Sequence, residues 1–308
     1  MAASFTSLTD LARQIAIERH SDQGSVIKEL LQYEIIQALL VSGSANHLVF
    51  QGGTALRLCH GGIRYSEDLD FAGGVEFDPL IMKPFSEQIV KGITERYGLS
   101  MEVDERLPNQ ADNVPGGRWK AKVQLPQVDR SAKRGYVIHI EVASVPAYSA
   151  GLLRVRTLSD RLPYAYQSLS IRGESKEEIL ADKILALGAR QYLKQRDLWD
   201  IHMLHQEQVK VNIQFVWKKI EDYHLDPTEF LGQLEKRAKS LSEDGTVDAF
   251  RKEMSRFVDG TNRSLVEDPT ITRQILHVVA GVAEGAMRRF ETDNPLKIHD
   301  ISPWPAIQ

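Results

Sequence analysis

Residues 48–71 read LVFQGGTALRLCHGGIRYSEDLDF, and no other stretch restricts the fold as much. His47–Gln51 reads as a strand, Thr54–His60 as a short helix opened by Gly52-Gly53-Thr54, and Tyr65–Ala72 as a second strand carrying Asp68 and Asp70. Glycine lets a ligand approach the backbone, and the first N–H groups of the next helix are free, so this turn suits a phosphate. A plain strand-to-helix turn needing positive φ uses glycine too. The acid pair narrows the choice. Two carboxylates two residues apart in a strand share a face, with Leu69 and Phe71 pointing into the core. Such a pair stays charged at low cost only with a cation between them. Mg²⁺ (or Mn²⁺) is a hard cation that takes oxygens from carboxylates and substrate phosphates together.

The rest of the chain reads as an α/β part followed by helices. An amphipathic helix is expected at 7–20, further helices at 24–41 and 79–97, and strands at 99–106, 118–125 and 136–145. The stretch 108–117 reads as loop, and 147–173 as mixed and turn-rich. Ser175-Lys176-Glu177-Glu178 fits a capping box opening a helix to Leu193. Further helices are expected at 196–205, 211–223, 227–240, 246–258 and 271–292. The expected fold class is therefore α+β: an α/β domain with a mixed sheet over 1–172, then an all-helical domain over 173–308. The chain has 308 residues, a net charge of −4 and one cysteine, Cys59. That charge does not advertise nucleic-acid binding, so any such site is a local patch. A single cysteine excludes an internal disulfide and fits a reducing cytoplasm. No basic stretch followed by an apolar run marks a signal peptide, and no apolar stretch is long enough to cross a membrane.

A glycine turn on a strand–helix junction, with Asp-x-Asp about fifteen residues later, resembles the nucleotidyltransferase superfamily signature. The fuller wording, GGTALRL followed by RYSEDLDF, is similar to the AbiEii/AbiGii toxin branch, which includes the MenT-type toxins. By that resemblance Asp68 and Asp70 hold the metal, and Gly52, Gly53 and Thr54 hold the nucleotide phosphates. Some superfamily members carry Ser at the position of Gly53, and Thr54 is the candidate substitute for its hydroxyl. Glu141 is the candidate third carboxylate. It shares a strand face with Val137 and His139, opposite Ile138, Ile140 and Val142. Many relatives appear with Asp there, and the alternative is a surface acid paired with Lys120 or Lys122.

The text EEILADKILALGARQYLKQRDLWDI resembles the second block of the family, a Lys on one helix and Arg-Asp-x-x-Asp on the next. The resemblance gives Lys183 the phosphate and the leaving pyrophosphate. Asp197 and Asp200, three apart on one helix side, are left to orient Lys183, contact a substrate group or act as base. The bland alternative is a dipole-favoured acid at a helix start and an i,i+4 pair of Arg196 with Asp200. Arg64 is a candidate for phosphate and Ser66 for the edge of the metal site. Glu178 is assigned to the capping box. Cys59, His60, His202 and His205 show no ligand or nucleophile spacing. Arg118, Lys120, Lys122, Arg130, Lys133 and Arg134 form one basic cluster, and Arg190, Lys194 and Arg196 another. Each suits an RNA backbone or a solvated face.

The residues alone lead to a metal-dependent nucleotidyl or phosphoryl transferase. The resemblance adds a cytoplasmic toxin with a cognate antitoxin encoded alongside, using an NTP to modify RNA, expected to be tRNA, and so blocking translation. A small-molecule nucleotidyltransferase, a kinase-type phosphotransferase and a catalytically silent binding module are the competing readings.

Overall fold

The computed structural model describes residues 7–106, 116–124, 135–160, 162, 164–260 and 262–292. α1 (Leu8–Arg19) and α2 (Gln23–Val41) come first, capped by the side chains of Ser7 and Asp22. β1 (Val49–Gln51) leads directly into α3 (Gly52–His60), and β2 (Leu69–Ala72) follows. A 3-10 turn at Pro79–Met82 enters α4 (Lys83–Tyr97). β3 (Ser100–Arg106), β4 (Gly116–Gln124), β5 (Tyr136–Ala143), β6 (Ala150–Arg154), the one-turn α5 (Tyr164–Gln167) and β7 (Ser170–Glu174) come next. Helices make up the rest: α6 (Lys176–Ala189), α7 (Gln195–Gln206), α8 (Ile213–Asp222), α9 (Pro227–Ser240), α10 (Asp244–Met254), α11 (Arg263–Glu267) and α12 (Pro269–Thr292).

The strands form one seven-stranded mixed sheet in the order β3-β4-β5-β2-β1-β7-β6. β2 with β5 and β1 with β7 are parallel pairs; the other neighbours are antiparallel. The α+β class with a mixed sheet and a helical C-terminal region is as expected. β7 runs through residue 172 to Glu174, so the last strand extends past the expected division. The unassigned stretch 147–173 holds β6 and β7. Four of the five residues of β6 are exposed, so it shows no alternation to read.

Alternation does its work in the central strands. Leu69 and Phe71 are fully buried, and Phe71 stacks on Phe50 of β1 at 5.1 Å between ring centroids. Ile138, Ile140 and Val142 of β5 fill the same core. α2 is pinned to α3 by a buried acid: Glu29 accepts from the Tyr33 hydroxyl at 2.8 Å and from Arg57 Nε at 3.0 Å.

The second strand begins four residues later than expected. The reason is that its approach spends backbone groups elsewhere. Gln32 Nε2 donates to the carbonyls of Ser66 (2.9 Å) and Glu67 (3.2 Å), and the Tyr65 N–H donates to the Phe257 carbonyl at 2.7 Å. The Thr54 hydroxyl donates to the Asp68 carbonyl. Groups occupied this way do not join a sheet ladder. Asp68 therefore stands in the loop ahead of β2, and the expectation that both aspartates share a strand face is corrected.

Candidate active site

Gly52 and Gly53 form the first turn of α3, and each is glycine for a separate steric reason. Gly52 has φ +76°, and a Cβ there would lie 2.8 Å from Asp70 Oδ2. A Cβ on Gly53 would collide with Arg64 Nη2 and lie 3.2 Å from Ser66 Oγ. A serine at position 53 has no room here, because the Arg64 guanidinium occupies its space. Thr54 does not replace it. Its side chain is fully buried and its hydroxyl is committed to the Asp68 carbonyl, so it braces the acid loop rather than facing a ligand.

Asp70 stands between Gln51 of β1 and Glu141 of β5, each its direct register partner. Burial and the adjacent Glu141 carboxylate push the Asp70 carboxyl up to about 6. Asp68 lines the same cleft from the loop. Glu141 pairs with Arg118 of β4 at 2.7 Å, not with Lys120 or Lys122. Among the described residues no three acids, histidines or cysteines are gathered closely enough to cage a metal by themselves.

A cationic wall faces these acids. Lys183 of α6 is buried, with Nζ 2.7 Å from Asp197 Oδ1 and 3.0 Å from Asp200 Oδ2, both on α7. Arg64 grips Asp200 with two parallel bonds, Nε to Oδ1 and Nη2 to Oδ2, each 2.6 Å. Arg190 pairs with the other oxygen of Asp197. Three cations and two carboxylates leave one net positive charge. Burial works against the charge on Lys183, but Asp197 and Asp200 outweigh it and hold its pKa above the ordinary value. Burial opposes ionisation of Asp197 as well. Lys183 and Arg190 overcome it and bring that carboxyl down to about 2.

The two walls enclose a cleft of about 490 Å³. Gly52, Gly53, Arg64, Ser66, Asp68, Asp70, Glu141, Lys183 and Asp197 all line it, together with Arg190, Lys194 and Arg196. Asp200 does not line it. At 1% exposure it lies behind Arg64 and Lys183 and positions both, so a role as base in contact with substrate is corrected. The i,i+4 pair of Arg196 with Asp200 is corrected too, since Arg196 pairs with Glu67 at 3.5 Å and Glu253 at 3.4 Å.

Half of the expected capping box is present. Ser175 caps α6 by accepting from the Glu178 N–H, but the Glu178 carboxylate turns away to the N–H groups of Tyr148 and Ser149 and to Lys219. On the β3–β4 ribbon, Lys120 stands opposite Asp104 and Lys122 opposite Glu102, so acids interleave with that basic cluster. Arg130, Lys133 and Arg134 lie outside the described residues. Cys59 is a buried free thiol that burial pushes up to about 12, too high to act as a nucleophile.

A family model described as a nucleotidyl transferase AbiEii toxin, type IV toxin–antitoxin system, matches residues 34–271. The chain belongs to the AbiEii family. The match takes in β1, α3, β2 and α6 to α10, hence every residue placed in the cleft above. Comparison with curated proteins found no match. Among solved structures, JHP933 from Helicobacter pylori aligns at 18% identity and TM-score 0.49, covering 90% of this chain and 99% of that one. A candidate nucleotidyltransferase from H. pylori aligns at 18% identity and TM-score 0.46, covering 87% and 98%. An AbiEii protein is a nucleotidyltransferase-family toxin with a cognate antitoxin and an NTP as substrate. Among the described residues no helix is long and apolar enough to cross a membrane.

Several supporting residues escape a reading by motif. Gln32, Asp182, Tyr223 and Leu225 either brace the acid loop or line the cleft. Gln32 shares its face of α2 with Lys28 and Glu29 as well as Ile35 and Ile36, so the sequence does not single it out as a buried brace.

Proposed function

We propose that this AbiEii protein transfers a nucleotide from an NTP to an RNA acceptor, tRNA by the family resemblance, and so blocks translation and growth in the cytoplasm. The carrying observation is that one cleft is lined by a glycine turn at a helix N-terminus, by Asp68 and Asp70, and by Lys183. Each part matches a part of the substrate. The first N–H groups of α3 and the positive end of its dipole face anionic oxygens. Lys183, held charged by Asp197 and Asp200, offsets charge that builds on the departing pyrophosphate. Arg190 and Lys194 add positive charge at the same cleft. Arg64 is spent on Asp200 and the Tyr65 carbonyl, so it shapes the floor beneath Gly53 and contributes field rather than a free fork.

The donor set suits a hard divalent cation. Asp68 and Asp70 offer carboxylate oxygens on one cleft, with Glu141 beside Asp70 as the third carboxylate. Burial first, and the Glu141 carboxylate beside it, raise the Asp70 carboxyl, and a cation bound there would offset both. Two carboxylates plus substrate phosphates are an ordinary set for Mg²⁺, which needs no all-protein cage. When bound, Mg²⁺ or Mn²⁺ would supply Lewis-acid neutralisation at the phosphates. The residues themselves fix orientation: Asp70 by its ladder partners and Asp68 by Thr54. An acceptor hydroxyl then attacks the α-phosphorus as the bond to the β-phosphate oxygen breaks.

Growth is the direct test. Induced expression of the wild type should arrest a bacterial culture, and Asp70→Ala at equal protein level should restore growth. Equal toxicity from the variant would sink the catalytic account.

A further inference from the structure

One face of the sheet changes character along its strands. Gln51, Asp70 and Glu141 form a polar row across β1, β2 and β5. Two residues back along β1, and two on along β2 and β5, the same face carries Val49, Ala72 and Ala143, again in register. At the rise of a strand the two rows are about 7 Å apart. Tyr223, from the end of α8, packs on this apolar row. With Leu225, and with Ala186 and Ala189 of α6, it also lines the cleft that holds the acids.

Tyr223 is held there by two devices that the transfer reaction does not use. The first is a buried cluster. Lys219 of α8 places Nζ 2.7 Å from Asp182 Oδ1, 3.0 Å from Glu178 Oε1 and 3.3 Å from Glu174 Oε1. An ammonium buried among three carboxylates locks α8 in register against β7 and α6, the helix that carries Lys183. The second is the turn that follows. His224 takes a left-handed φ of +51°, and the Leu225 N–H closes onto the Ile220 carbonyl at 3.0 Å. Burial and the nearby Asp182 push the Tyr223 phenol up to about 12, so the ring is neutral.

We propose that Tyr223, Leu225, Ala186 and Ala189 form the subsite for the base of the nucleoside triphosphate, with the Tyr223 ring as its stacking face. This rests on the reading of the cleft as an NTP site. A triphosphate nucleotide is charged at one end and flat and weakly polar at the other. The cleft has the same two characters in the same order, and the ribose spans the distance between the rows. An aromatic face accepts the π-face of any base.

The test is titration calorimetry with Mg²⁺ present, using ATP, CTP, GTP and UTP in turn and inorganic tripolyphosphate alongside. The wild type should bind at least one NTP more tightly than tripolyphosphate. Tyr223→Ala should weaken that NTP about tenfold and leave tripolyphosphate unchanged. Ala189→Trp, at an exposed position that tolerates bulk, should reproduce the split by filling the slot, and Tyr223→Phe should bind as the wild type does. Unchanged NTP affinity in both Tyr223→Ala and Ala189→Trp, with the wild type binding, overturns the subsite alone. A wild type that binds no NTP overturns the underlying reading of the cleft, and the subsite with it.

Discussion

Arg64 and Asp200 are 136 residues apart in the chain and meet as a buried fork, with two bonds of 2.6 Å joining the acid loop to α7. Asp200 also holds Lys183 at 3.0 Å. This one carboxylate thus couples the glycine turn, the acid loop and the lysine helix. Removing one partner of a buried pair leaves the other charge uncompensated. Asp200→Ala should lower unfolding free energy by about 3 kcal/mol, measured by urea denaturation. Arg64→Lys should be nearly as harmful, because an ammonium cannot make the parallel fork.

The glycine turn separates strain from catalysis. Gly52→Ala places an L-residue at φ +76° and a methyl group 2.8 Å from Asp70 Oδ2. The backbone part should cost about 1–2 kcal/mol. Displacement of Asp70 should remove nearly all transfer activity, so the activity loss should far exceed the stability loss in parallel assays of melting and label transfer.

Asp70 and Glu141 are register partners, and their mutual repulsion is a local cost of the site. Asp70→Asn relieves it. The metal-free variant should melt at or above the wild-type temperature at pH 7.5 while losing transfer, the usual trade between stability and a functional site. A melting temperature several degrees lower would contradict this reading.

Asp197 sets the acid limit of the Lys183 cluster. Its carboxyl falls from 3.8 to about 2 in the native state, against burial, through Lys183 and Arg190. The sign follows directly. A depressed carboxyl contributes stability in full above the unfolded pKa and loses it as pH falls toward the folded one. Unfolding free energy should therefore drop by about 2 kcal/mol from this group between pH 4 and pH 2. In Asp197→Asn that part of the acid limb should be absent, as read by denaturant titration at several pH values.

What could be read beforehand followed spacing and period. The glycine turn, the acid pair and the alternation of β5 are local patterns, and they located Gly52, Gly53, Asp68, Asp70 and Glu141 around one cleft. What could not be read depended on side chains meeting across distance. Thr54 has the position of a phosphate hydroxyl in the sequence, but its hydroxyl donates to the Asp68 carbonyl instead. The loop before β2 reads as strand because Asp68 and Asp70 alternate with Leu69 and Phe71, whereas Gln32 and Thr54 take its carbonyls. Glu178 satisfied a capping motif but serves Ser149 and Lys219. Lys219 did leave a trace, since it falls near the stripe of Ile213, Val216, Trp217 and Ile220 where an apolar residue is due. A lysine in that stripe calls for buried acids, and three are there.

The central claim is transfer from the α-phosphate of an NTP to RNA at Asp68 and Asp70. The most direct measurement incubates total cellular RNA with each α-³²P-labelled NTP and the wild-type protein or Asp68→Ala. The account predicts label in a tRNA-sized band from at least one NTP, absent in the variant. Label from no α-labelled NTP, with signal from γ-labelled ATP or GTP instead, would contradict nucleotidyl transfer and make the same cleft a kinase site.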